Sequence, residues 1–171
     1  METMELLCSL PPSVVPEQMD VTDWRHRNAA RAVLLNDRDE VALMHVAKEG
    51  YYKLPGGGFE GDEQAEHALV REMLEETGCA IAVERALGRI DEYREGKELF
   101  HVSYCYLARV VGEPGQPQLT REERARGFEV VWLPSLQAAL EVMAVAFWEG
   151  RGSRDTLERD MEFLQTAMAS V

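Results

Sequence analysis

A chain of 171 residues, 46% of them hydrophobic and 29% charged, has enough apolar material for one domain with a real core. Its 31 acidic against 18 basic residues leave a net charge of −13, which argues against a nucleic-acid polymer as a nonspecific partner. A small phosphorylated ligand stays open, because a bound cation inverts the local field. Cys8, Cys79 and Cys105 are odd in number and lack paired ligand spacing, as expected of reduced thiols in a cytosolic protein. The start METMELLCSL is acidic where a signal peptide is basic, and no run approaches the roughly 20 apolar residues of a membrane span. The expectation is a cytoplasmic protein without a membrane partner.

Residues 1–27 are poorly periodic, with the breaker cluster PPSVVP and Trp24 beside a basic RHR. They read as an N-terminal extension to a core over 28–134, with helices over 135–171, all in one domain of residues 1–171. From Ala29 the pattern is that of strands: RAVLLN and VALMHVA are apolar runs with DRDE as a hairpin turn between them. YYKLP reads as a short strand ending in a turn at Gly56-Gly57-Gly58, and Asp62 as the N-cap of a helix over 62–77. CAIAVERALGRI is predicted as a strand and DEYREGKEL as a connection. In FHVSYCYLARVV, Phe100, Val102, Tyr104 and Tyr106 alternate with His101, Ser103 and Cys105, the strongest strand pattern of the chain. GEPGQPQLTREERARG is a long polar loop of the kind that often carries function. FEVVWLP closes the strand set. Leu136, Leu140, Met143 and Phe147 mark one helix, and Leu157, Met161, Leu164 and Met168 a second. Many strands, one central helix and terminal helices make an α+β, layered α/β/α protein. Phe147, Trp148, Phe163 and Leu164 either finish its core or bury the interface of a homodimer.

The stretch REMLEETG breaks local rules. Glu72, Glu75 and Glu76 fall within an arc of roughly 100° on a helix, and like charges at this spacing destabilise it by about 0.2–0.5 kcal/mol per pair. Gly78 ends the helix as an αL cap would, so the carboxylates also face the negative end of the macrodipole. Local conflict of this kind marks functional sites, and a hard divalent cation relieves it.

Gly57 to Cys79 reads GGFEGDEQAEHALVREMLEETGC: Gly, five residues, Glu, seven residues, then Arg-Glu-apolar-x-Glu-Glu-x-Gly-apolar. This resembles the Nudix box, the signature of hydrolases acting on a nucleoside diphosphate linked to another group. Gly57, Glu63, Arg71, Glu72, Met73, Glu75, Glu76 and Gly78 match it, and Cys79 stands where a larger aliphatic is usual. The resemblance implies a Nudix-type α/β/α sandwich with a mixed sheet, and a Mg²⁺-dependent pyrophosphatase, with Mn²⁺ as substitute. It also implies that Glu75 and Glu76 bind metal with the Gly56 carbonyl, and that Glu72 binds metal or takes the proton of the attacking water. Arg71 is expected to brace a carboxylate, Glu63. Gly57 and Gly78 shape the loop and the helix end.

Beyond the box, a general base is expected on the later loop, where Glu123 and Glu122 stand; a charged surface loop is the ordinary alternative. Arg31 and Lys53 are candidates for phosphate contacts, against a reading as exposed surface charge. No spacing joins His45, His67 and His101. The proline that some ADP-ribose hydrolases carry beyond the box is absent from EYREGKE, and Tyr93 lies earlier than the tyrosine of some dinucleoside polyphosphate hydrolases. By elimination the reading is a MutT-like hydrolase of nucleoside triphosphates, oxidised ones included. A nucleotide sensor without turnover is the competing class, and retention of every box glutamate favours the enzyme.

Overall fold

The computed structural model describes residues 3–170; Met1 and Glu2, part of the acidic start noted above, and Val171 lie outside them. The strands are β1 (Leu6–Leu10), β2 (Arg25–Leu35), β3 (Val41–Val46), β4 (Tyr51–Lys53), β5 (Gly56–Gly58), β6 (Ala80–Arg94), β7 (Leu99–Val111) and β8 (Phe128–Leu133). The helices are α1 (Ala65–Thr77), α2 (Arg121–Ala125), α3 (Leu136–Trp148) and α4 (Arg154–Ala169).

One mixed sheet runs β1-β6-β7-β2-β3-β4, with β5 paired to β2 and β8 to β3. β1 lies parallel to β6 and β2 parallel to β7, while the other pairs are antiparallel. From Ala29 onward β2 is buried on both faces, and its side chains sort by parity, as a strand's must. Ala30, Ala32 and Leu34 pack under α1 with Leu69 and Met73; the small alanines let the helix approach closely. Val33 and Leu35 point the other way, into the core that Met143 of α3 and Leu157, Phe163 and Leu164 of α4 complete. This is the α/β/α sandwich expected. Phe163 and Leu164 finish the core, whereas Trp148 is 82% exposed. Among the described residues no helix is long and apolar enough to cross a membrane.

Several sequence expectations are corrected. Residues 1–27 include a sheet strand, because β1 adds to the edge of β6, and β2 begins already at Arg25. Gly56–Gly58 is the strand β5 against Ala29–Arg31, not a turn. The strand expected to stop before DEYREGKEL runs on to Arg94, and only Glu95–Lys97 turns. α1 starts at Ala65, with Gln64 as an N-cap that makes no side-chain bond. Asp62 does not cap it, because Glu60 to Glu63 form their own turn, closed by Glu63 N to Glu60 O at 3.2 Å. The polar loop contains α2, capped by Thr120 and Glu123 in a reciprocal box.

Candidate active site

The last two turns of α1 carry the three clustered carboxylates, and the fold treats them differently. Glu72 and Glu76 lie one turn apart and are 9% and 2% exposed, facing β5; the Glu75 side chain is 37% exposed. Glu76 Oε2 accepts from Gly56 N at 2.9 Å, and its Oε1 lies 3.4 Å from Lys53 Nζ. Burial pushes the Glu76 carboxyl up to about 7; Lys53 and the Gly56 N–H act against this, and the charges of Glu72 and Glu123 add to it. Burial also raises Glu72, against its bond to Arg71. Both groups therefore lack a full countercharge.

Arg71 gathers the acidic residues. It forks onto Glu63 through Nε at 2.7 Å and Nη2 at 2.9 Å. Nη1 reaches Glu72 Oε1 at 3.0 Å and Glu75 Oε2 at 3.2 Å, and Nη2 also donates to Gly58 O at 2.9 Å. The contact to Glu63 expected from the box is thus present, and its hydrogen bonds hold Glu63 down to about 2. The glycines fit because they have no side chain. A Cβ on Gly57 would stand 2.6 Å from Glu72 Oε1, and one on Gly56 2.2 Å from Ala30 O.

Gly78 ends α1 at φ +73°, and a Cβ there would strike Gly115 O at 2.2 Å. The polar loop lies against this helix end: Gly115 N donates to Gly78 O and Gln118 N to Glu75 O, each at 2.7 Å. Carbonyls that a helix end leaves orphaned therefore dock the loop and bring Glu123 near enough for its charge to raise both Glu72 and Glu76. The Glu123 carboxylate itself accepts from Thr120 N at 2.8 Å. Glu122 is exposed.

Arg31 and Lys53 are not surface charges. Arg31 is 5% exposed, in register with Gly56, and donates through Nε to Ser103 Oγ at 3.3 Å. Burial, with Arg159 adding, pushes it down to about 10. Lys53 lies between Glu76 and the ring of Phe128, whose centroid is 4.9 Å away. The sequence reading missed Arg27, which is exposed at the start of β2 with the same parity as Arg31, and is lowered by desolvation and the neighbouring arginines Arg159, Arg94 and Arg25. Among the described residues neither Arg27 nor Arg31 has an ion-pair partner. It also missed the buried set Glu92, His101, Arg159 and Asp160 beside them. A signal existed in α4, where Asp160 falls on the stripe of Leu157 and Leu164.

As they stand, no three Asp, Glu, His or Cys side chains among the described residues converge tightly enough to hold a cation. Glu72 and Glu75 are turned onto Arg71, and Glu76 onto Gly56 N and Lys53. In kind the residues fit one: hard oxygen donors, two of them buried with raised proton affinity, are what a divalent ion would neutralise. A cavity of about 640 Å³ lies apart from these donors, beside the N-terminal end of α1, lined by Phe59, Tyr104, Tyr106 and Arg89.

Known proteins are similar to this chain in sequence and in fold. A family model described as NUDIX domain matches residues 25–151. Nudix hydrolase 18, mitochondrial, of Arabidopsis thaliana is 34% identical over 52% of this chain and 45% of that protein. The human 8-oxo-dGDP phosphatase NUDT18 is 33% identical over 60% of this chain and 31% of that protein. The chain thus spans less than half the length of either relative. In fold it is similar to a NUDIX hydrolase from Nitrosomonas europaea, with a TM-score of 0.64 at 19% identity over 85% of this chain and 90% of that one. With the box spacing, the sandwich around α1 and a family match over well above half of its length, this chain belongs to the NUDIX domain family.

Proposed function

We propose that this protein is a Mg²⁺-dependent hydrolase of a nucleoside diphosphate linked to another moiety, acting as one domain, with nucleoside triphosphates and their oxidised forms as its substrate class. The observation that carries this is a pairing of opposites. Two buried carboxylates whose proton affinity burial raises, Glu72 and Glu76, stand within the electrostatic reach of two arginines, Arg27 and Arg31, that have no ion-pair partner among the described residues. A cation completes the first pair and a phosphate chain the second. The name of the human relative, 8-oxo-dGDP phosphatase, supports an oxidised purine base, although that name specifies a diphosphate rather than a triphosphate.

Glu75, Glu76 and Glu72, with the Gly56 carbonyl, would hold the ion, with Mn²⁺ as a substitute. A divalent ion at these oxygens supplies charge neutralisation at phosphorus and lowers the pKa of a bound water. Arg71 keeps the carboxylates in place through Glu63. Arg27, Arg31 and Lys53 neutralise the phosphate oxygens, so that water can attack phosphorus and a P–O bond to the leaving phosphate breaks. Glu72, whose proton affinity burial raises, takes the proton of that water. Glu123 is engaged with Thr120 N and contributes its negative field to the site.

The test is phosphate release, coupled to a phosphatase or pyrophosphatase, with and without Mg²⁺. The panel holds normal and oxidised nucleoside triphosphates and diphosphates, ADP-ribose, dinucleoside polyphosphates and nucleotide sugars. Metal-dependent cleavage of the mononucleotides is the expected result. Tight nucleotide binding with no turnover across the panel would replace this reading with that of a sensor.

A further inference from the structure

The segment Leu54-Pro55-Gly56 joins β4 to β5, and three different elements hold it. Leu54 N donates to Asp160 Oδ2 of α4 at 2.9 Å. Pro55 O accepts from Ala32 N of β2 at 3.1 Å. Gly56 N donates to Glu76 Oε2 of α1 at 2.9 Å. Two carboxylates from helices on opposite faces of the sheet therefore bracket one proline, and one of them belongs to the carboxylate cluster.

β4 ends the strand path of the sheet, so the chain around residues 150–160 serves it where a further strand would. Arg151 Nη1 donates to Gly50 O at one end. A Cβ on Gly152 would stand 2.2 Å from the Tyr51 ring, which shows how closely that turn packs on the strand. Asp160 holds the other end. Leu54 and Asp160 are both 0% exposed, and a buried N–H left unpaired is costly. Asp160 is itself balanced: its Oδ1 accepts from Arg159 Nε at 2.8 Å. Arg159 Nη1 lies 3.5 Å from Glu92 Oε2, and Glu92 Oε1 accepts from Arg94 Nη2 at 2.9 Å.

The core under α4 does not require this carboxylate. Leu157, Phe163, Leu164 and Ala167 already fill it with apolar side chains, whereas the carboxylate serves the Leu54 N–H and Arg159 Nε. What the carboxylate adds is a fixed position for the backbone that reaches Gly56. α4 also lies beyond residues 25–151, the stretch the family model matches.

We propose that Asp160 is a positioning residue for the metal site: by holding the Leu54 N–H it fixes Gly56 against Glu76. This rests on the metal-dependent reading given above. The test uses the full chain as wild type, Asp160→Asn and Asp160→Ala. Mn²⁺ binding is read from the electron paramagnetic resonance of the free ion, at a temperature well below each melting point. In Asp160→Ala the Mn²⁺ Kd rises about tenfold or more, as for other residues that orient ligands. In Asp160→Asn, which keeps a weaker, neutral acceptor, it rises about threefold. A folded Asp160→Ala protein that binds Mn²⁺ like the wild type would overturn the proposal and leave Asp160 a stabilising residue only. Should Asp160→Ala not fold, Asp160→Asn decides alone, since an unchanged Kd overturns the role and a threefold rise supports it. A wild type that binds no Mn²⁺ would instead remove the metal reading itself, and the positioning role with it.

Discussion

A carboxylate that is 2% exposed, with one ammonium 3.4 Å away and one hydrogen bond accepted from a backbone N–H, would rather be neutral. The Glu76 value of about 7 expresses that preference, and its sign can be followed into stability. The folded value lies above the ordinary carboxylate range, so the native state binds more protons between about pH 4.5 and 7, and stability falls as pH rises through this window. Without metal, Glu76→Gln should therefore be more stable than the wild type at pH 8, by roughly 3 kcal/mol, and equal to it below about pH 4.5. Urea unfolding at the two pH values checks this, and a less stable variant at pH 8 would show that the Lys53 pair outweighs burial. Arg31 follows the same logic with opposite charge. Arg31→Met should leave thermal stability unchanged or raised, because a buried unpaired guanidinium is replaced by a stem of similar length. Its kcat/KM for a nucleotide should fall at least about tenfold, or about 1.4 kcal/mol. Equal kcat/KM would take Arg31 out of the phosphate site. The box spacing made Glu63, Arg71, Glu72, Glu75 and Glu76 legible, because a helix converts fixed spacing into one face. Arg27 and Arg31 were not legible as a pair. Only the fold brings Arg27 into the field of Glu72 and Arg31 into that of Glu76, and nothing local in RHRNAARAV records that β5 comes alongside.

At the scale of elements, the site depends on close approach between β5 and α1. Gly57→Ala would place a methyl within 2.6 Å of Glu72 Oε1, and the carboxylate must move. Turnover is expected to fall by about 100-fold, as for a displacement of roughly 1 Å at a reacting group, with the far-ultraviolet circular dichroism unchanged. The capping box of α2 is a second such element. Thr120→Ala should cost about 1 kcal/mol locally, visible as faster amide exchange over residues 121–125, while α1 exchange stays as it was. The sequence made α1, β7, β8, α3 and α4 legible through their periodicity. It failed at short elements whose partners are distant. Gly56–Gly58 carries no side-chain pattern and becomes a strand only by pairing with Ala29–Arg31. β1 pairs with β6 across most of the chain's first half, and LLCSL alone gives no sign of that. In β7 the alternation identified the strand but not an inside and an outside. His101, Ser103 and Cys105, at 2%, 0% and 0% exposure, are buried more deeply than Phe100 and Tyr104, because both faces of β7 are covered.

For the whole molecule, a net charge of −13 and a cluster of buried carboxylates predict that divalent cations stabilise the fold. Mg²⁺ at about 100 times its Kd contributes about 2.7 kcal/mol, which raises Tm by roughly 5–10 °C for a chain of this size. The rise should be larger at pH 8 than at pH 6, because a proton on Glu76 competes with the ion. In a sandwich whose sheet is covered by α1 on one face and by α3 and α4 on the other, Glu76 packs α1 onto β5 and, on the metal-dependent reading proposed above, would also bind the cation. The measurement that bears most directly on this account is nucleotide hydrolysis in ¹⁸O-water with saturating Mg²⁺, comparing wild type with Glu76→Gln. Mg²⁺-dependent turnover by the wild type, with ¹⁸O in a phosphate product and none from the folded variant, is the predicted result. Equal turnover by a folded Glu76→Gln protein, or hydrolysis that persists when Mg²⁺ is chelated, would contradict it.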